Sequence, residues 1–356
     1  MNVPKLRFKE FNDNYLRLKY KDVLKIKSGK DQKQVECENG IYPILGTGGQ
    51  IGKTNSFLYD KPSVLIGRKG TINKPQYMET PFWTVDTLFY SHIYEPNIPK
   101  YLFYSFQNVN WKKYDESTGV PSLSSSTIEG VDCNIPSKEE QLKVANFISL
   151  LDKKIDLQSK KIEDLKLFKK GLILSLKKNS FDWHTVCIKD LFKITRGVVI
   201  PKNELSEFKS GEYKYPVYSS QTSNQGVLGY SDTFDFNGKY LTWTTDGANA
   251  GKVFYRNGKF RCTNVCGVLY EDNIRFTNEL FAELLNYETP KHVSYVGNPK
   301  LMNNTMANIK IKIPSNEIQE NISLVINTIN HKVNLETNKL LKLKELKKGL
   351  MQSMFV

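Results

Sequence analysis

The chain repeats itself. Residues 135–176 and 313–354 align without a gap at an offset of 178, half of the 356-residue length, with 16 identities in 42 positions; unrelated segments would share roughly two or three. Ile135-Pro136-Ser137 returns as Ile313-Pro314-Ser315. Further on, Leu165-Lys166-Leu167-Phe168-Lys169-Lys170-Gly171-Leu172 returns as Leu343-Lys344-Glu345-Leu346-Lys347-Lys348-Gly349-Leu350. A duplication constrains the fold strongly, because both halves must be built on one scaffold.

Upstream of these segments the halves share only landmarks. Tyr42-Pro43 answers Tyr215-Pro216, Gly29 answers Gly197, and Gly119, Pro121 and Leu123 answer Gly297, Pro299 and Leu301. The offset drifts from Asp22/Asp190 through Gly70/Gly247 to Tyr90/Tyr270, which means insertions in loops on a common frame. The expected layout is a first domain at 1–136, a helix at 137–178, a second domain at 179–314 and a second helix at 315–356.

The similar segments read as long helices. Ser137 with Glu140 has capping-box spacing, and no proline follows before Pro201. A heptad seam runs through Ile148, Leu151, Ile155, Gln158, Ile162, Leu165, Lys169, Leu172 and Leu176. Its second copy is Ile326, Ile329, Val333, Glu336, Leu340, Leu343, Lys347, Leu350 and Met354. Two matching seams related by a pseudo-twofold axis within one chain predict an antiparallel two-helix coiled coil, and the polar residues, which fall at equivalent places, select its register. Pairing by charge sets Lys169 against Glu336 and Gln158 against Lys347. The same register places Leu151 opposite Met354, Ile155 opposite Leu350, Ile162 opposite Leu343, Leu165 opposite Leu340 and Leu172 opposite Val333. The alternative is that both lysines snorkel outward and the domains set the register.

The divergent blocks read as mixed α/β (α+β) domains. Runs rich in β-branched and aromatic residues at 63–66, 84–90, 239–244 and 263–270 predict strands, and 99–108 and 278–287 predict short helices.

The motifs of common catalytic sites are incomplete or absent. Thr47-Gly48-Gly49-Gln50-Ile51-Gly52-Lys53-Thr54 lacks the first glycine of a phosphate-binding loop, and Ile51 stands where a dinucleotide fingerprint needs its third glycine. No Asn-Pro-Pro-aromatic tetrad of the amino-methyltransferase kind occurs, and none of the four histidines has zinc-hydrolase spacing. Cys262, Cys266 and His292 lack a fourth ligand at finger-like spacing, which favours buried structural thiols over a metal site. Glu207-Phe208-Lys209 only echoes a nuclease pattern. No catalytic residue and no metal site is assigned.

The formal net charge of +14 points to a polyanion, since neutralised phosphates release condensed counterions. Five scattered cysteines and the lack of any ~20-residue apolar run suggest a reducing cytoplasm and no membrane span. Three polar, glycine-punctuated loops recur in each half. The first half offers Thr47, Gln50 and Lys53, then Arg68, Lys69, Thr71, Asn73 and Lys74, then Ser122 and Ser124. The second offers Ser219, Ser220, Gln221, Ser223, Asn224 and Gln225, then Thr245, Asn249 and Lys252, then Lys300 and Asn303. Amides pair with adenine, cations with guanine or phosphate, and hydroxyls with either. Matching frames with different side chains predict two half-sites of different sequence.

The chain resembles the specificity subunits of type I restriction–modification enzymes. Val3-Pro4-Lys5-Leu6-Arg7-Phe8, Tyr215-Pro216-Val217-Tyr218-Ser219-Ser220, the Pro-Ser-x-Glu-x-Gln helix starts and the Lys-Lys-Gly-Leu runs carry the likeness, which spans the chain. Gly46-Thr47-Gly48-Gly49 departs from the usual serine-rich loop and leaves the individual base contacts open. The resemblance implies a non-catalytic subunit with two target recognition domains reading bipartite double-stranded DNA. It implies two methyltransferase subunits docked along the helices, restriction subunits joined through them, and no cofactor on this chain. S-adenosylmethionine, ATP and magnesium would belong to the partners, and the methyltransferases would flip the target adenines. Two other readings stay open: a DNA-binding regulator acting alone, and the specificity region of a fused methyltransferase–nuclease.

Overall fold

A computed structural model describes residues 3–178 and 183–355. The chain forms two units, Met1–Lys160 with Asn338–Val356, and Lys161–Thr337. Each unit therefore holds one divergent block together with a stretch of both long helices.

Unit 1 contains strands β1 (Leu16–Lys19), β2 (Leu24–Lys27), β3 (Tyr42–Gly46), β4 (Gly49–Thr54), β5 (Ser63–Gly67), β6 (Gln76–Met78), β7 (Trp83–Thr84), β8 (Leu88–Ile93) and β9 (Asp132–Ile135). Its helices are α1 (Tyr20–Val23), α2 (Pro99–Asn108), α3 (Ser125–Gly130) and the start of α4 (Lys138–Lys178). The sheet orders are β2-β8-β5-β6 and β4-β3-β7, with a β1-β9 ribbon.

Unit 2 contains β10 (His184–Cys187), β11 (Lys193–Arg196), β12 (Tyr215–Tyr218), β13 (Val227–Ser231), β14 (Phe236–Thr244), β15 (Val253–Cys262), β16 (Cys266–Tyr270) and β17 (Lys310–Ile313). Its helices are α5 (Ile188–Leu191), α6 (Glu279–Glu288), α7 (Asn303–Asn308) and the start of α8 (Asn316–Met354). Here β11-β16-β14-β15-β12-β13 form one sheet, beside a β10-β17 ribbon. The single strand β15 does the work that β6 and β7 share in unit 1.

The duplication is visible in individual bonds. In β3 and in β12 the strand pairs antiparallel with its hairpin partner, carries a bulge at the same place, and pairs parallel with a second strand. The α1 amide of Tyr20 donates to Val131 at 3.0 Å, and the α5 amide of Ile188 donates to Ile309 at 3.0 Å. Gly29 and Gly197 each press on a neighbouring backbone where a Cβ would lie about 2 Å from a carbonyl oxygen.

Pro99 opens α2, a position where proline loses no helical bond, and α2 buries Tyr101, Leu102, Tyr104 and Phe106 against Trp111 and against Val144, Ala145 and Ile148 of α4. In α6 the Asn278 side chain caps the first turn by accepting from Phe281 N at 3.0 Å. One face of α6 sends Phe281 and Leu285 toward the sheet, while Leu280 and Leu284 pack on Ile173, Ile322 and Ile326 of the long helices. Unit 2 leaves Gly267 no room. A Cβ there would stand 2.2 Å from the buried Trp243 ring, whose indole N–H donates to Leu301 O at 3.0 Å. Gly267→Ala should cost about 1–3 kcal/mol by overpacking, measured as a lower melting temperature of unit 2; an unchanged one would show that the ring can move aside.

The long helices run antiparallel. Within unit 1, Ile148 and Leu151 share a core with Leu350, Met351 and Met354; within unit 2, Leu172 and Leu176 share one with Ile322 and Ile326. Every seam position is buried or half-buried. The charge-matched register, however, is wrong by about a heptad. Glu336 takes Lys161 at 2.8 Å instead of Lys169, which lies eight residues on, roughly 12 Å along the helix. Lys347 takes Asp152 at 2.6 Å, not Gln158. The seam lysines find their partners beside the seam. Lys169 reaches Glu283 of α6 and Asn330, and Lys347 lies over the Tyr104 ring.

The Pro-Ser-x-Glu-x-Gln start also has a different chemistry from the one expected. Glu140 N donates to Ser137 Oγ at 3.3 Å, half of a capping box. The Glu140 carboxylate turns away to Arg7 and Tyr15. The amide of Gln141 instead donates to Pro136 O at 3.0 Å, and Gln319 donates to Pro314 O at 2.7 Å.

Candidate nucleic-acid interface

The three polar loops of each half converge within their own unit. In unit 1, Arg68 N donates to Thr87 O at 2.8 Å, Gly70 N to Pro121 O at 2.8 Å and Leu123 N to Arg68 O at 2.9 Å. Thr47 completes the cluster from the β3–β4 turn, its hydroxyl 3.8 Å from where a Gly70 Cβ would lie. In unit 2, Thr245 N donates to Val265 O at 3.1 Å, Gly247 N to Pro299 O at 2.9 Å and Leu301 N to Thr245 O at 2.9 Å. The two sets of bonds match one for one. Gly70 and Gly247 hold φ of 86° and 93°, a region that favours glycine and turns the loop back under its neighbour.

Around this shared frame the exposed side chains differ. Unit 1 presents Arg68, Lys69, Asn73 and Lys74 to solvent, with Thr71 and Ser122 half-buried. Gln50 and Lys53 are exposed on the β4 side of the hairpin, Gln50 donating to Gly52 O at 3.2 Å. The segment 47–54 is thus a turn and a strand with no helix after it, so it lacks the geometry of a phosphate-binding loop. Unit 2 presents Asn224, Gln225, Asn249, Lys252 and Lys300. Lys300 Nζ stands 3.9 Å from Asp246. Ser220 and Gln221 are half-buried, and the side chain of Ser223 lies outside the described residues.

Several expected contact residues also hold the frame. Thr245 is fully buried at 0% exposure and cannot reach a base edge, so it is not a contact. Its hydroxyl donates to Asp246 at 2.7 Å. Ser124 caps α3, accepting from Thr127 N at 3.1 Å and donating to Glu116 at 2.9 Å. Ser219 accepts from Thr263 Oγ1 at 2.9 Å, Gln221 donates to Val227 O within its own loop, and Asn303 accepts from Arg196 at 3.4 Å.

Composition and spacing gave no hint of three organising residues. Asp115 ties the third loop of unit 1, accepting from Ser122 N at 2.9 Å and Ser117 N at 3.0 Å. Those N–H groups, Ser122 first, hold its carboxyl below the ordinary range, so the tie is complete at neutral pH and is lost only as acid takes the pH through that lowered value. Glu116 is lowered likewise by Thr127 and Ser124. Arg256, on β15, donates to Gln225 O at 2.7 Å and Thr242 Oγ1 at 3.1 Å. Its guanidinium lies 3.5 Å from the Tyr218 ring centroid and 4.5 Å from that of Phe254. In unit 1 a neutral side chain does a comparable job, Gln76 donating to Gly46 O at 2.9 Å.

Cys262 and Cys266 are buried free thiols 3.4 Å apart, with burial pushing Cys262 well up. Among the described residues no cluster of three His, Cys, Asp or Glu side chains could hold a metal ion, and no helix is long and apolar enough to cross a membrane.

Comparison with known proteins agrees with this geometry. The type I restriction modification DNA specificity domain matches twice, at residues 12–167 and 181–345. A Mycoplasma pneumoniae protein described as a type I specificity subunit is 34% identical over 224 residues, 60% of this chain and 81% of its own length. The N-terminal portion of another from the same organism is 45% identical over 145 residues, 40% of this chain and 76% of its own length. The crystal structure of a type I restriction–modification S subunit from M. genitalium shares the fold, with a TM-score of 0.70 over 99% of both chains at 16% identity. The chain belongs to the type I restriction–modification DNA specificity family and carries that family's domain twice.

Proposed function

We propose that each loop cluster reads one half of a bipartite, asymmetric double-stranded DNA target. The observation that carries this reading is the matched set of main-chain bonds in 68–70 with 121–123 and in 245–247 with 299–301, dressed with different exposed side chains. In unit 1 the proposed contacts are Arg68, Lys69, Asn73 and Lys74, with Thr47, Gln50, Lys53, Thr71 and Ser122 beside them. In unit 2 they are Asn224, Gln225, Asn249, Lys252 and Lys300. Amides and cations of this kind pair with base edges and phosphates. The exposed flanks of the long helices dock two methyltransferase subunits, through which restriction subunits join. S-adenosylmethionine, ATP and magnesium reside on those partners, in the cytoplasm.

Grafting a different domain onto residues 1–136 tests this. The methylated sequence should change in one half only. A change in both halves, or failure of the chain to co-purify with methyltransferase, would overturn the assignment and favour a regulator acting alone.

A further inference from the structure

The long helices carry a second repeated feature that base reading does not use. In unit 2 a cavity of about 410 Å³ is lined by Lys166, Lys169 and Lys170 of α4, by Lys252, and by Glu283 and Asn286 of α6. In unit 1 a cavity of about 410 Å³ is lined by Lys344, Lys347 and Lys348 of α8 and by Gln107 and Asn108 at the end of α2. These are the same three lysines of the duplicated segment, and Asn108 and Asn286 also stand at the common offset. The intervening positions have changed, Leu167 to Glu345 and Phe168 to Leu346.

In each cavity the middle lysine has a carboxylate, Glu283 for Lys169 and Asp152 for Lys347. Lys166, Lys170, Lys344 and Lys348 have none among the described residues. Lys252 keeps contact with solvent, yet desolvation by its neighbours, and then repulsion from Lys169 and Lys166 against the pull of Glu283, hold its ammonium below the usual range. Like charges gathered in a concavity raise its potential for anions.

We propose that each cavity seats a backbone phosphate of the DNA, so that the spacer helices clamp the duplex without reading it. This rests on the DNA-reading assignment above. Three observations favour phosphate over a carboxylate of a partner protein. Lys252 belongs to a candidate reading loop, and an adjoining cavity is lined by Gln225 as well as by Lys169 and Lys252. The free cations are all lysines, point charges without the fork that matches a carboxylate. The lysines persist in two copies whose reading loops have diverged, as a ligand independent of base sequence requires.

The test uses the full chain assembled with its methyltransferase partner, carrying Lys166→Gln with Lys170→Gln, or Lys344→Gln with Lys348→Gln. Binding is measured against salt on a cognate duplex and on a scrambled one. Losing the one phosphate contact of the altered cavity should reduce the log–log salt slope by about 1 on both duplexes, leaving their affinity ratio unchanged. Lys153→Gln with Lys160→Gln, exposed on α4 outside the cavities, should change the slope less. An unchanged slope in both cavity variants, or an equal change in the comparison variant, overturns the proposal. Loss of methyltransferase co-purification with an unchanged slope also overturns it and assigns the lysines to a protein carboxylate. If the unaltered complex bound no duplex, the DNA reading itself would fall, a result distinct from each of these.

Discussion

Arg256→Met should leave the half-site read by unit 1 intact and relax the one read by unit 2, by roughly 10- to 100-fold in discrimination. The 219–226 loop needs outside support. Asn224 and Gln225 hold φ of 47° and 53°, conformations costing of order 1–3 kcal/mol each unless the surroundings impose them. Arg256 supplies the restraint through Gln225 O, a charge-assisted bond of about 1.5–3 kcal/mol. The residue is 6% exposed, and no carboxylate pairs with it among the described residues. Methionine fills similar space between Tyr218 and Phe254, so the core of unit 2 should survive, because an apolar side chain avoids the desolvation cost that the buried, unpaired guanidinium bears. Lysine keeps the charge but loses the planar stack and fork, and should fail as methionine does. Sequencing of methylated sites reads the outcome. Equal relaxation in both halves, or in neither, would show that Arg256 does not organise this loop.

Arg7→Met should lower the melting temperature of unit 1 by on the order of 10 °C. Glu140 is 1% exposed. It accepts from Arg7 Nε at 2.9 Å, from Arg7 Nη2 at 2.7 Å and from Tyr15 at 2.8 Å. Removing the guanidinium leaves a buried carboxylate with the phenol alone, a loss of about 3–5 kcal/mol. The pair Arg7→Met with Glu140→Met should recover most of that loss, since neither charge then remains to be solvated. Calorimetry on the single and double variants checks the point. A double variant no more stable than the single one would mean that Arg7 stabilises through packing and not through its charge.

These two residues also mark where sequence reading stops. The duplication, the strand-forming runs at 63–66 and 239–244, the helices at 99–108 and 278–287, and even the Gly70/Gly247 and Pro121/Pro299 equivalences were legible, because periodicity and landmark spacing report local geometry. The three loops could be named as a set for the same reason. Their internal division of labour was not legible. Thr245 and Arg68 occupy matching main-chain positions, yet one is buried and the other exposed, a difference set by the surrounding fold. Arg256 looks like any polar residue in an alternating strand until Tyr218 and Phe254 close over it. The helix register failed because charge matching considered two helices alone, whereas Glu283 and Asp152 stand beside the seam and satisfy its lysines.

The main-chain ties among the reading loops have a consequence for how such a protein changes over time. Amide and carbonyl groups of Gly70, Pro121, Leu123 and their counterparts hold the loops in place, and every amino acid except proline supplies an amide donor. Exposed positions such as Lys69, Asn73, Asn249 and Lys300 can therefore vary with little effect on folding, as surface substitutions usually do. On the DNA-reading assignment proposed above, new specificities become reachable through single steps that leave folding intact, so that the target can change without first losing a folded subunit.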